Sequence, residues 1–470
     1  MIAPRRLSPD DWRVWRVLRL AALRESPHAF ESRLADWQGD CDTEGRWRGR
    51  LRDVEANFAV DVDGEPAGMV SGALIDGGTA VELISLWVTP HARGRGVGDL
   101  LVRTVLDWAV AGTTAERVVL RVHEGNAHAR DLYERNGFRT LGAPTPNAER
   151  EMVHQLPQRV RVGIHSGQQY PDFASVQALW HSAERLGYDW VSLFDHYRPP
   201  IFGPDGPCFD GPTLLAALAA TTSRVRCGLL VAPPVWRHPA LTATIAATVD
   251  QVSGGRLEFG MGVGGADLAF EQYGIPQPTL GARYEQLDET CRILRLLWEG
   301  GPADFTGTHY KLRGAYLNPR PVQQRLPLVI GGAGECRTLQ LVARHADIWN
   351  CAALAPETYM RKVDVLDHLC AQEGRKPAEV RRSVTFRCVI TSNQAEAVRA
   401  HAAIERNANG HGPDLPEYVS FGSAEECLDR LAPYTESGVR DFLLGVRPPV
   451  DRGTVERFAT EVAPALRGMA

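Results

Sequence analysis

Lysine is nearly missing from this chain: Lys311, Lys362 and Lys376 are the only ones among 52 basic residues, the rest being arginine. That skew fits a GC-rich genome and says little about mechanism. No Cys-x-x-Cys pair occurs, and the nine cysteines are odd in number with eight beyond residue 200, which fits neither a disulfide framework nor a zinc ribbon. Reduced thiols and no metal site are expected. There is no run of about twenty apolar residues, and no apolar core of secretory type follows Arg5-Arg6. Nor is there a basic excess. The formal net charge of −5 offers no face for nucleic acid and no polybasic segment for a membrane surface. A cytoplasmic protein acting on small molecules is the expectation.

What is present is ordinary globular composition, 44% apolar and 23% charged, over 470 residues. That length exceeds what one hydrophobic core usually supports, so two or three domains are expected. The seam falls at Pro157. Glu151 to Leu156 reads as one extended run and Val160 to His165 as another. A proline between them removes an amide donor and interrupts a ladder. The division is therefore 1–156 and 158–470, with α/β character in both parts.

In the first part, residues from Asp10 to Ala22 show helical spacing after Ser8, a suitable cap. Phe58 to Val62, the turn Asp63-Gly64 and Ala67 to Ile75 read as a hairpin, and Ala80 to Val88 as a third strand. That strand runs into Arg93-Gly94-Arg95-Gly96-Val97-Gly98, after which Leu101, Val105, Trp108 and Ala109 share a helix face. A glycine turn between strand and helix N-terminus aims backbone amides at one point, and the helix dipole adds to them, which suits a pyrophosphate. A second block follows, Asn126-Ala127-His128-Ala129-Arg130-Asp131-Leu132-Tyr133 through Gly137-Phe138.

These two blocks resemble the GNAT family of acyl-CoA-dependent N-acyltransferases, across essentially all of residues 1 to 156. The resemblance implies that acetyl-CoA is bound by Arg93, Gly94, Arg95, Gly96, Val97 and Gly98. It also implies that Val88 offers backbone bonds to the pantetheine arm, that Asn126 helps position the cofactor, and that Tyr133 protonates the departing thiolate. The attacking amine must lose a proton, and Glu82, on the strand before the turn, is the candidate base.

In the second part, strand-like runs at Val160–Ile164, Trp190–Phe194, Val225–Val231, Leu257–Met261, Leu328–Ile330, Ala346–Asn350, Val384–Ile390 and Asp441–Leu444 alternate with helical ones. Eight such units predict a (β/α)8 TIM barrel with its active site at the strand C-terminal ends, a doubly wound sheet being the alternative. Gly260-Met261-Gly262-Val263-Gly264-Gly265 fits the dinucleotide fingerprint, but no helix of adequate length begins there, which argues against a Rossmann site.

Phe194-Asp195-His196-Tyr197, Ser253-Gly254-Gly255-Arg256, Asn318-Pro319-Arg320-Pro321, and Val329-Ile330-Gly331-Gly332-Ala333-Gly334-Glu335 followed by Ala346-Asp347-Ile348-Trp349 resemble the luciferase-like flavin and deazaflavin oxidoreductases. The similarity is greatest to their coenzyme F420-dependent branch. By that resemblance Gly331, Gly332 and Gly334 cradle the cofactor phosphate, and Asp195 and His196 stand over the ring as proton-handling groups. A cis peptide pressing on the ring falls within Ala232-Pro233-Pro234, with Pro233 at the cofactor. Gly265 and Ala266 replace the Trp or Glu common near the ring, and Ile348 replaces a glycine. FMN, with monooxygenase chemistry, is the alternative cofactor, and a homo-oligomer through the barrel is open. The whole is expected to be bifunctional, an acetyl-CoA-dependent N-acetyltransferase joined to an F420-dependent oxidoreductase. The alternative makes the GNAT part a non-catalytic acyl-CoA-binding module beside an FMN monooxygenase.

Overall fold

A computed structural model describes residues 3–27, 30, 32–113, 115–142, 145, 148–199, 206–265, 269–407 and 418–469. The chain divides into two compact units, Met1–Pro157 and Gln158–Ala470.

The first unit is a seven-stranded sheet. Its strands are β1 (Pro4–Arg6), β2 (Ala56–Val62), β3 (Glu65–Ile75), β4 (Ala80–Val88), β5 (Arg117–His123), β6 (Arg139–Leu141) and β7 (Glu149–Gln155). The spatial order is β1-β2-β3-β4-β5-β7-β6. Asp63 and Gly64, at φ 55° and 87°, make the two-residue turn between β2 and β3, which suits their right-handed twist. All neighbours are antiparallel except β4 and β5, which pair in parallel only from Ala80↔Arg117 to Glu82↔Val119. Beyond Glu82 that ladder ends.

Val81 and Leu83 of β4 pack with Leu101 and Val105 of the helix Val97–Gly112 on one face. Trp15, Trp47, Met69 and Trp87 fill the other, under the helices Trp12–Glu25 and Glu44–Asp53. The first of these helices begins at Trp12 rather than near Asp10. Ser8 and Asp11 form a capping box around the 3-10 turn Pro9–Asp11, and this turn takes up the residues before it.

In the second unit β8 (Arg161–His165), β9 (Trp190–Leu193), β10 (Arg226–Ala232) and β11 (Leu257–Met261) are followed by a small hairpin, β12 (Ala303–Thr306) with β13 (Lys311–Ala315). Then come β14 (Leu328–Gly331), β15 (Ile348–Ala352), β16 (Arg381–Ile390), β17 (Tyr418–Gly422) and β18 (Val439–Gly445). Apart from the hairpin, every pairing is parallel. β18 pairs with β8 and β15 with β16, so eight strands close a barrel, and β17 adds to β16 outside the ring. This is a (β/α)8 barrel and not a doubly wound sheet.

Alternation along each strand sends one set of side chains to the helices and the other to the barrel axis. Trp190, Leu230, Val329, Ile348 and Leu443 form an interior cluster separate from the helix-facing core. Below it, near the strand N-termini, a buried ion network closes the floor. Arg161 bridges Glu258 and Asp441, at 2.6 Å each, while Arg226 reaches Glu258 and Arg381 reaches Asp441 at the same distance. Polar and small residues are left for the upper layer.

One expectation is corrected here. The cis peptide lies at Leu230–Val231, inside β10, and the bonds of Ala232-Pro233-Pro234 are trans. An extra residue in β10 shifts its register against β11 between Leu229 and Ala232. The prolines end the strand instead: Pro233 is extended and Pro234 opens a 3-10 turn, Pro234–Trp236, and trans bonds serve both.

Candidate functional sites

In the N-terminal unit the helix Val97–Gly112 starts at Gly96, which is left-handed at φ 78° and brings no side-chain cap to the first-turn amides. Gly94 is also left-handed, at φ 74°, and a Cβ on either residue would meet nothing within 4 Å. A helix start of this kind, with no side chain over its first amides, is one that suits an anion. Gly98 serves packing instead: a Cβ there would lie 3.3 Å from Leu132. Val97 is buried beneath the turn, and Arg95 pairs with Asp63 at 2.9 Å. Arg93 donates to the Val88 carbonyl at 3.1 Å and to Glu25 at 2.7 Å. The carbonyl of Val88, the residue expected to offer backbone bonds to a pantetheine arm, thus takes one bond from the turn itself.

Asn126 caps the helix Ala127–Arg135 through its side-chain oxygen, 3.1 Å from the Ala129 amide, and its amide nitrogen is left for a ligand. Tyr133 lies on that helix with 8% exposure, against Phe138. Burial holds its hydroxyl above the ordinary phenol range, so it is protonated, as an acid must be. Glu82 is half-buried at the last paired position of β4 and shares the face of Ser71, not that of the helix Val97–Gly112.

At the barrel's C-terminal end a single apolar wedge, Val231, stands among glycines. A Cβ on Gly331 would lie 2.7 Å from Val231 Cγ1, and one on Gly262 would clash with Cγ2 outright. A Cβ on Gly264 would lie 2.9 Å from Pro233, so Pro233 supports that loop. Beyond Gly331 the loop is pinned from outside. Trp349 donates to the Gly332 carbonyl at 2.8 Å, and Lys362 to the Ala333 carbonyl at 2.8 Å and to Glu335 at 2.9 Å. The following helix, Thr338–His345, has Arg337 at its cap with no side-chain bond. Gly334 stands where a Cβ would come 3.0 Å from Thr338 Oγ1, which meets Tyr284 Oη at 3.0 Å. The Leu339 amide is taken by the Gly334 carbonyl at 3.0 Å; a helix start without a side-chain cap beyond a glycine loop still suits a phosphate, and the glycine-cleared wall around Val231 suits a flat ring.

Asp195 and His196 follow β9, but their roles diverge. Asp195 is 1% exposed and held by both guanidinium nitrogens of Arg237, Nη2 at 3.2 Å from Oδ1. Burial raises its pKa against the pull of that arginine. The expected proton-handling group is therefore half of a buried ion pair with Arg237. His196 packs edge-on against Phe194 at 5.2 Å, its carbonyl accepting from Gln168 at 2.7 Å. Around it a wall of rings runs from Tyr197 to Trp236 (4.9 Å) and on to Phe270 (4.4 Å). A cavity of 520 Å³ opens at Tyr197, Cys208, Gln272 and Tyr273. Gly265 is open on its Cβ side, and Ala266 lies outside the described residues.

Sequence reasoning missed the polar groups of the upper layer. His165, ending β8, meets Ser192 of β9 at 2.9 Å. Burial, with the charges of Arg387 and His196 adding, lowers its pKa to about 4, so its ring is neutral near pH 7. Asn350 of β15 donates to Ser383 at 2.8 Å and to Thr385 at 3.1 Å. The signal was alternation: each stands on the inward parity of its strand near the C-terminal end.

The description "Luciferase-like monooxygenase" matches residues 151–417, more than half of the chain. The chain belongs to that family. "Acetyltransferase (GNAT) family" matches residues 19–138, so a GNAT domain is fused ahead of the luciferase-like barrel. Among relatives, an F420-dependent glucose-6-phosphate dehydrogenase of Microbacterium testaceum is 26% identical over 313 residues, 61% of this chain and 91% of that protein. A pyrimidine monooxygenase RutA of Acinetobacter baylyi is 30% identical over 240 residues, 49% of this chain and 63% of that protein. Among solved structures, an F420-dependent secondary alcohol dehydrogenase has a TM-score of 0.58 at 22% identity, covering 66% of this chain and 99% of that one. A riboflavin lyase has a TM-score of 0.58 at 19% identity, covering 66% and 92%. At such identities the structures show the luciferase-like fold alone. Among the described residues no three His, Cys, Asp or Glu could hold a metal ion, and no helix is long and apolar enough to cross a membrane.

Proposed function

We propose that the luciferase-like barrel is an FMN-dependent monooxygenase of a small organic substrate and that the GNAT domain binds an acyl-CoA to regulate it. The observation that carries the barrel reading is the upper rim: a wedge, Val231, among glycines cleared of side chains, beside the uncapped start of the helix Thr338–His345. These fit a tricyclic ring and its phosphate. The amides beyond Gly334 would hold the phosphate, and Val231 would support one ring face. FMN over F420 is favoured by the pyrimidine monooxygenases among the relatives, seven of them 29–31% identical to this chain.

Reduced FMN, when bound, supplies the electrons that activate dioxygen. The chain's own part is orientation and exclusion of water. The rings of Tyr197, Trp236 and Phe270 wall the entrance, His165 with Ser192 offers a neutral hydrogen-bonding pair, and Asn350 is fixed by Ser383 and Thr385.

The second reading makes the barrel an F420-dependent oxidoreductase and the GNAT domain an active N-acetyltransferase using acetyl-CoA. It is favoured by the dehydrogenase relative, 91% of which is covered, and by Tyr133, a buried phenol kept protonated as a thiolate acid requires. A paired fluorescence titration with FMN and with F420, in the presence and absence of acetyl-CoA, separates the two. FMN binding with oxygen-dependent turnover altered by acetyl-CoA supports the first reading. Preference for F420 overturns it. If Tyr133→Phe and Glu82→Gln abolish an acetyl transfer, the GNAT domain is catalytic; if acetyl-CoA still alters barrel kinetics in both variants, it is regulatory.

A further inference from the structure

The face of the GNAT sheet that carries Glu82 holds an unusual set of donors. Along the helix Trp12–Glu25, Trp12, Trp15 and Arg19 fall at i, i+3 and i+7, one side of the helix. The Trp12 and Trp15 indole Nε1 atoms and Arg19 Nη1 are all buried, and none has a hydrogen-bond partner among the described residues. Arg19 is only 7% exposed, with the ring of Phe30 4.5 Å from its guanidinium.

Arg50, from the helix Glu44–Asp53, joins this set. Its guanidinium lies 5.1 Å from the Trp15 ring and donates only to neutral oxygens: Asn57 at 3.0 Å, Ser71 at 3.3 Å and Ser85 at 3.4 Å. Among the described residues neither arginine has a carboxylate within ion-pair reach; Asp53 acts on Arg50 only at a distance. Burial lowers both pKa values to about 10, and the charge of Arg50 contributes to the shift of Arg19.

Two neighbouring like charges and two unpaired indole donors thus share one side of the sheet, answered only by the neutral oxygens of Asn57, Ser71 and Ser85 among the described residues. Buried charges are normally paired, and buried donors normally bonded. Ser85, which Arg50 touches, stands at positive φ in β4, where the register shifts against β3 just beyond the last β4–β5 pair. β4 then runs on to Val88 and the glycine turn. An anion delivered beside this strand would answer these donors, and a planar carboxylate matches two guanidinium forks.

We infer that Arg19 and Arg50, with the Trp12 and Trp15 indoles, form a recognition site for a ligand carboxylate in the GNAT domain. The carboxylate comes either from the acyl group of a dicarboxylic acyl-CoA or from a separate small acid bound beside the thioester. The acyl source rests on the reading of the glycine turn as an acyl-CoA site; the separate acid does not.

The test is calorimetric titration of the full-length protein, and of its Arg19→Met and Arg50→Gln variants, with succinyl-CoA, acetyl-CoA and free succinate. A succinyl-CoA preference of about tenfold, one charge-assisted interaction, that falls to near one in both variants supports the site with the acyl group as source. Equal affinity for the two thioesters, with free succinate bound by the wild type and by neither variant, supports it with the separate acid as source. Equal thioesters and no succinate binding overturn it, as does a preference that both variants retain. If acetyl-CoA does not bind at all, the acyl-CoA reading fails and the succinate arm alone decides. Melting temperature checks the folded state: Arg19→Met should raise it by removing an unpaired buried charge, whereas a purely structural arginine would lower it and leave the titrations unchanged.

Discussion

The glycine-rich turns of the two domains look alike in sequence and do opposite things. In the GNAT domain, Gly94 and Gly96 take left-handed backbone with nothing within 4 Å of a Cβ, and the helix they open has no side-chain cap. In the barrel, Gly262 and Gly331 have ordinary backbone, and the space a Cβ would need is filled by Val231. The contrast extends outward. Among the described residues the GNAT face leaves donors of Trp12, Trp15 and Arg19 unanswered, while at the barrel rim Asp195 is answered by Arg237 and Asn350 by Ser383 and Thr385, Trp236 Nε1 being left without a partner. A site that waits for a charged ligand keeps donors unpaired; a site that shapes itself around a flat ring must be rigid beforehand.

The largest test of that contrast removes an internal answer. Arg237→Met leaves Asp195 buried without its cation, which costs about 3–5 kcal/mol for a broken buried pair. The sign with pH follows from burial. The folded pKa of Asp195 is already raised and would rise further without Arg237, so the deficit should be smallest in acid and grow as pH rises through the carboxyl's folded pKa. Urea unfolding at several pH values measures it. An unchanged midpoint at neutral pH would mean that the pair does not hold the rim.

Next in size is Gly331→Ala, which sets a methyl 2.7 Å from Val231 Cγ1. Overpacking of this kind costs about 1–3 kcal/mol, and it should displace the wedge and weaken FMN binding. If FMN binds the variant as before, Val231 is not at the ring. The matching change in the other domain is milder. Gly96→Ala forces a Cβ into left-handed backbone, about 1 kcal/mol, with no neighbour to strike. Acetyl-CoA affinity should fall by about tenfold through the tilted amides, with the barrel's FMN affinity unchanged. A fall in both affinities would mean that the glycines of the two domains are not independent.

Much of this was legible beforehand. The strand Ala80–Val88 was placed with its observed bounds, and all eight barrel strands were found, because apolar runs bounded by glycine and proline are local signals. The helix Glu44–Asp53, by contrast, has only Trp47 and Leu51 buried in an arginine-rich stretch, so periodicity gave it no face to show, and Arg50 was lost with it. Val231 and the bulge of β10 depend on pairing with β11, which no single strand records. Asp195 was recognised by its neighbours in sequence, yet its partner Arg237 stands 42 residues away, beyond any spacing rule.

His165 gives the smallest and most discriminating test, because it belongs to the rim and no motif pointed to it. Its folded pKa of about 4 lies below the ordinary histidine value, so the folded ring stays neutral while the unfolded chain takes up a proton as pH falls through 6.5. Stability from this residue is therefore intact above that range and is lost progressively on descending toward pH 4. Between pH 7 and 6 the loss is under about 1 kcal/mol, since only the unfolded state begins to protonate there. His165→Asn, which keeps a hydrogen-bonding group for Ser192, should remove this slope from the melting temperature measured against pH. If the slope survives the substitution, another group carries the titration. If the slope disappears and turnover falls with it, the neutral imidazole at the end of β8 acts on the substrate as well as on Ser192, and the barrel's internally answered rim has one group turned toward its ligand after all.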